Sequence, residues 1–151
     1  MESVSRQGLS RQGTRTWALL LRVHAAATRC MSDRLRAEHG LSINDFETLA
    51  ALADAPGRRL RRVDLAQKLL LTASGVTRLL DGLRDAGLVE RTGTDADQRV
   101  AYAQLTSAGA AVLDAASPDY AAGIHALESQ LSEAELAQLG DLLGKLALEA
   151  A

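Results

Sequence analysis

At 151 residues, with 47% apolar but only 3% aromatic side chains, the chain has the size of one domain, and its Ala- and Leu-rich makeup favours helices over sheet. The net charge of −2 is unevenly spread: residues 1–100 hold 16 Lys+Arg against 12 Asp+Glu, and residues 101–151 hold 1 against 7, so the first two thirds suit a polyanionic partner. One cysteine, Cys30, excludes an intramolecular disulfide and a paired-cysteine zinc site; the longest early apolar run, residues 17–21, is too short for a leader core or a membrane span, so a soluble, cytoplasmic protein is expected.

Residues 1–13 are polar and lack an apolar period, which predicts a flexible tail ahead of a single domain over 14–151. From 14 to about 38, Trp17, Leu20, Leu21, His24, Ala27, Thr28, Met31 and Leu35 recur at three- and four-residue steps, the pattern of one long amphipathic helix that Gly40 ends. Ser42 starts a second helix, with Asp45 at the third helical position and Leu41 placed to pack on Phe46; Pro56 and Gly57 follow its end near Asp54. Residues 58–62 read as a short strand and 63–70 as a short helix. Thr72 then opens a further helix reaching Gly87, and the two together suggest a helix-turn-helix. The segments LVERT and RVAYAQL, joined by a loop of Gly and Asp, predict a β-hairpin, or wing.

Thr106 caps another long helix, in which Pro118 is expected to mark a kink or break. Ser132 and Glu135 form the capping box of the last helix, Leu131 and Leu136 its staple, and Leu136, Leu139, Leu143 and Leu146 follow at heptad-like spacing. The expected fold is mainly α (α+β): a winged helix-turn-helix lobe at about 42–106 between long helices at about 14–38 and 107–149.

On the helix opened by Thr72, Val76, Leu79, Leu80 and Leu83 share a core face, while Ser74, Thr77, Arg78 and Asp81 share another. Such a polar face suits a major groove, because hydroxyls meet phosphates or bases and arginine bridges the two acceptors of guanine. No carboxylate occurs from Ala73 to Leu80 and Gly75 stands at the third helical position, which leaves the positive end of the helix open to a phosphate. A capped, solvated surface helix would carry the same residues. At the hairpin turn, Asp95, Asp97 and Arg99 offer an arginine suited to a minor groove, with Asp97 placed to hold it.

The run from Leu65 to Gly109 resembles the MarR family of bacterial winged-helix transcription regulators, above all in GLV, Arg91, the D-x-D-x-R of Asp95, Asp97 and Arg99, and then Leu105, Thr106 and Gly109. It departs at Gln98, where many members carry a second arginine. The resemblance spans about 14–147 and implies a homodimer whose first and last helices interlock, here through Leu20, Leu136, Leu139, Leu143 and Leu146. It further implies a pseudo-palindromic operator in double-stranded DNA, with Thr72, Ser74, Thr77, Arg78, Asp97 and Arg99 as the contact residues. A small aromatic or anionic effector is implied in the crevice between helices and lobe, with Trp17, His24, Glu47 and Arg91 as candidate lining.

No nucleophile–base arrangement or phosphate-cradling glycine loop is present, so no catalysis and no cofactor are expected. His24, His39 and His125 are dispersed, and no metal site is expected. Cys30, in RCMSDR without neighbouring aromatic residues, reads as a buried or idle thiol. Two other readings stay open: a winged-helix module that binds protein without binding DNA, and a regulator that senses redox state through Cys30.

Overall fold

The computed structural model describes residues 10–93 and 102–149. The first helix, α1 (Arg11–His39), begins inside the stretch expected to be a tail, because Ser10 is its N-cap and accepts the Gly13 N–H at 2.9 Å. Gly40 closes it in the left-handed region (φ 68°), where its N–H reaches Arg36 O and that of Leu41 reaches Leu35 O. Only the second half of α1 enters the core, through Met31 and Leu35; Trp17, Leu19, Leu21 and Val23 in the first half are exposed.

The second helix, α2 (Ile43–Ala53), has the expected capping box: Ser42 Oγ accepts the Asp45 N–H, and the Asp45 carboxylate accepts from Ser42 N–H at 2.8 Å and Oγ–H at 2.7 Å. A single 3₁₀ turn, Pro56–Arg58, leads into β1 (Arg59–Arg61), then α3 (Arg62–Leu69) and α4 (Ala73–Asp85). The hairpin strands are β2 (Val89–Thr92) and β3 (Tyr102–Leu105). All three strands form one antiparallel sheet in the order β1-β3-β2, with Arg59 opposite Gln104 and Val89 opposite Leu105.

The helix α5 (Ser107–Glu128) is continuous through Pro118, so of the expected kink or break there is no break. Proline deprives the Asp114 carbonyl of its N–H partner, but Asp114 is exposed and water can take that place. The last helix, α6 (Glu133–Glu149), has its capping box at 2.9 Å from Ser132 N–H to the Glu135 carboxylate. These hydrogen bonds, first from the Ser132 backbone and then from its hydroxyl, hold the Glu135 carboxyl below its ordinary range.

One core joins Leu35 of α1, Phe46, Leu49 and Leu52 of α2, Leu65 of α3, Val76, Leu80 and Leu83 of α4, the sheet residues Val89, Ala103 and Leu105, and Leu113 and Ala116 of α5. Two glycines permit its closest approaches. A Cβ on Gly109 would collide with the Leu88 carbonyl, and one on Gly123 would come within 2.6 Å of Met31 Cγ. Arg34 and His39 of α1 both reach Asp119 of α5, and the next residue, Tyr120, stacks on Phe46 of α2 with ring centroids 4.3 Å apart.

Candidate nucleic-acid interface

The helix α4 starts as its sequence requires. Thr72 has extended backbone angles and its hydroxyl accepts the Gly75 N–H at 3.1 Å, while the first turn carries no acid. Val76, Leu80 and Leu83 are buried and Leu79 is half-buried, which turns Ser74 and Arg78 to solvent. Thr77, half-buried beside them, donates its hydroxyl proton to the Ala73 carbonyl at 3.0 Å. Asp81 is engaged by Arg84 at 2.8 Å, whereas Arg78 has no carboxylate partner among the described residues. The outward face of α4 thus presents the Ser74 hydroxyl and the Arg78 cation, groups that can donate to phosphates and guanine, with Thr77 at its edge.

Other residues on this surface escaped the sequence reading. Arg62 reaches from α3 to Thr77, Nη1 donating to Oγ1 at 3.4 Å. Arg59 lies over the Tyr102 ring, 5.3 Å from its centroid. Between α4 and the base of the hairpin lies a cleft of about 140 Å³, bordered by Arg62, Thr77, Arg84, Arg91, Tyr102 and Glu90. Residue spacing shows which face of a helix a side chain occupies, but not that segments 15 residues or more apart will meet there.

Asp97 and Arg99, expected to serve the minor groove, lie outside the described residues, as do Asp95 and Gln98. The four candidate effector residues do not share a cavity within one chain. Arg91 borders the cleft beside α4, whereas Trp17, 61% exposed, lines an open groove with Leu20 and Leu146. His24 is exposed on α1. Glu47 accepts from the Tyr120 hydroxyl at 3.5 Å; burial first, and then this carboxylate, raise the Tyr120 hydroxyl above its ordinary pKa.

Of the residues expected at a dimer interface, Leu20 is half-buried and Leu136, Leu139, Leu143 and Leu146 are exposed along α6. Of the expected buried or idle thiol the buried alternative does not hold: Cys30 is exposed on α1, whose core contacts are made by Met31 and Leu35. Among the described residues no three His, Cys, Asp or Glu side chains gather as metal ligands, and no helix is long and apolar enough to cross a membrane.

Comparison with known proteins matches the family model described as "MarR family" over residues 39–100. The chain is 30% identical to the HTH-type transcriptional regulator MhqR of Bacillus subtilis, over 85% of this chain and 89% of that one. It is 34% identical to the HTH-type transcriptional repressor YetL of the same organism, over 74% and 70% of the two chains. Its fold superposes with a TM-score of 0.80 on a cysteine-to-serine mutant of MarR from Escherichia coli complexed with operator DNA, at 26% identity and covering 93% of this chain and 99% of that one.

Proposed function

This chain belongs to the MarR family of transcriptional regulators, and from that premise we propose that it acts as a homodimeric, ligand-responsive repressor on a pseudo-palindromic operator in double-stranded DNA. The observation that carries the reading is the α4 start: a capped, acid-free helix end with Ser74, Thr77 and Arg78 turned outward or to its edge. The dipole and free N–H groups there favour a phosphate, and Arg78 is available to a base edge. Asp97 and Arg99 in the hairpin connection are assigned to the adjacent minor groove, on the strength of the D-x-D-x-R pattern.

Dimerisation is supported by the apolar residues that one chain leaves exposed: Trp17 and Leu21 on α1, and Leu136, Leu139, Leu143 and Leu146 on α6. A two-fold arrangement would present the two α4 helices to successive major grooves, about one helical turn apart. Repression has the name of YetL in its favour. The effector is assigned to the cleft that Arg91 borders: its 140 Å³ compares with the roughly 150 Å³ of a cavity that admits benzene, and Arg62 and Arg91 would favour an anionic aromatic. Occupancy beside α4 would compete with DNA. A cytoplasmic location follows from the role.

The test is a salt titration of binding to duplex DNA selected by the protein from a randomised library. With about four phosphates neutralised per protomer, log affinity falls against log salt with a slope near −7 for the dimer. A flat titration, or failure to select any sequence, overturns the reading.

A further inference from the structure

We infer that Arg62, the first residue of α3, is a phosphate-contacting residue of the DNA interface that also positions Thr77; this rests on the DNA-binding reading above. Arg62 is exposed and, among the described residues, has no carboxylate within 4.0 Å. Its neighbour Arg61 takes the single acid of the α3 first turn, Asp64, in a two-point contact at 2.8 and 2.9 Å. Arg62 thus keeps an uncompensated charge at the positive end of a helix, where a cation is disfavoured. A local preference broken without compensation inside the fold is expected at positions kept for function.

The side chain, though exposed, reaches over to α4. Its Nη1 crosses to α4 and donates to Thr77 Oγ1 at 3.4 Å, while that hydroxyl gives its own proton to the Ala73 carbonyl. Among the described residues, the other guanidinium N–H groups make no side-chain hydrogen bond, and Thr77 lies on the same helix face as Ser74 and Arg78. Arg62 also borders depressions on both sides of Thr77, one shared with Arg91 and Tyr102 and the other with Val63, Ala66 and Ala73. In a helix-turn-helix the first helix crosses the DNA backbone while the second enters the groove. A guanidinium at the start of α3, beside α4, is therefore set for a phosphodiester oxygen and not for a base edge. Its planar fork can hold Thr77 with one arm and the phosphate with the others.

Full-length wild-type, Arg62→Ala and Arg62→Lys proteins are titrated by fluorescence anisotropy, across a range of salt, against two duplexes of about three helical turns. One duplex is selected by the wild-type protein and the other is unselected. Arg62→Ala is expected to weaken binding to both by a similar factor, about tenfold, and to reduce the salt slope by about 0.9 per protomer, while Arg62→Lys restores the slope. Selection repeated with Arg62→Ala yields the same consensus. A wild-type slope in Arg62→Ala, with unfolding midpoints matched, overturns the inference and leaves the DNA-binding reading intact. A consensus altered at one position also overturns it, making Arg62 a base reader. If wild-type protein binds neither duplex, the DNA-binding reading falls, and this inference with it.

Discussion

His39 Nε2 donates to Asp119 Oδ2 at 2.8 Å, joining the end of α1 to the middle of α5 across 80 positions of sequence. Arg34, one turn earlier on α1, donates to the other carboxylate oxygen at 3.1 Å. The His39 hydrogen bond, the largest influence, holds the Asp119 carboxyl below the usual carboxylate range together with that of Arg34, and desolvation, second in size, opposes them. Because the folded value is the lower one, the stabilisation is complete above the unfolded pKa of about 3.9 and is lost as pH falls through the folded value. Asp119→Asn should therefore lower the urea midpoint at neutral pH, with the gap to wild type narrowing below about pH 4. A pH-independent gap would mean that the carboxylate charge is not what holds the helices.

The two close-approach glycines should respond unequally to a methyl group. At Gly109 the obstacle is the Leu88 carbonyl, which is backbone and part of the hairpin's base. Gly109→Ala should cost about 2–3 kcal/mol, near the upper end for overpacking. At Gly123 the obstacle is the flexible Met31 side chain, and Gly123→Ala should cost about 1 kcal/mol. Denaturant unfolding of both variants checks the order; equal costs would mean that the backbone at Leu88 moves as easily as Met31.

Arg78→Ala should weaken binding to the selected duplex and relax preference at one base position by on the order of 1–3 kcal/mol. Thr72→Ala should act on the helix start instead, costing about 1 kcal/mol of stability through the lost cap on Gly75. Competition with single-base variants of the duplex separates the two. An Arg78→Ala protein with unchanged base preference would remove Arg78 from the reading face.

Leu139 and Leu143 are exposed in the single chain, so charging them should leave its fold unharmed. Leu139→Arg combined with Leu143→Arg should sediment as a monomer with wild-type helicity, and its affinity for a palindromic duplex should drop at least tenfold. A double variant that stays dimeric would move the interface away from α6.

What the sequence made legible was local. The capping residues Ser42, Thr72, Thr106 and Ser132 all stand where their spacing to Asp45, Gly75, Gly109 and Glu135 puts them, because each motif closes within four residues. Ser10 was missed for the complementary reason: a cap at the head of a polar, Gly-containing segment has no apolar period beside it to announce a helix. At Pro118 no break occurs, because the rest of the long helix continues on both sides of one missing hydrogen bond. The core face of α4 followed from periodicity, yet Arg62 beside Thr77, Arg59 over Tyr102 and the clasp on Asp119 depend on chain crossings that no spacing encodes. The separation of Trp17 from Arg91 has the same origin, since they sit on elements that face different cavities.

Asp119 and Tyr120 are consecutive on α5, and they hold different neighbours: the first grips α1, the second lies flat on Phe46 of α2. Rotating α5 about its axis would carry both grips along together. The helix therefore ties α1 to α2 through two adjacent residues, and α2 shares its core with α3 and α4. In the proposed two-fold assembly built on α1 and α6, the distance between the two α4 helices would be set in part at this joint, on residues that belong to neither α4 nor the sheet.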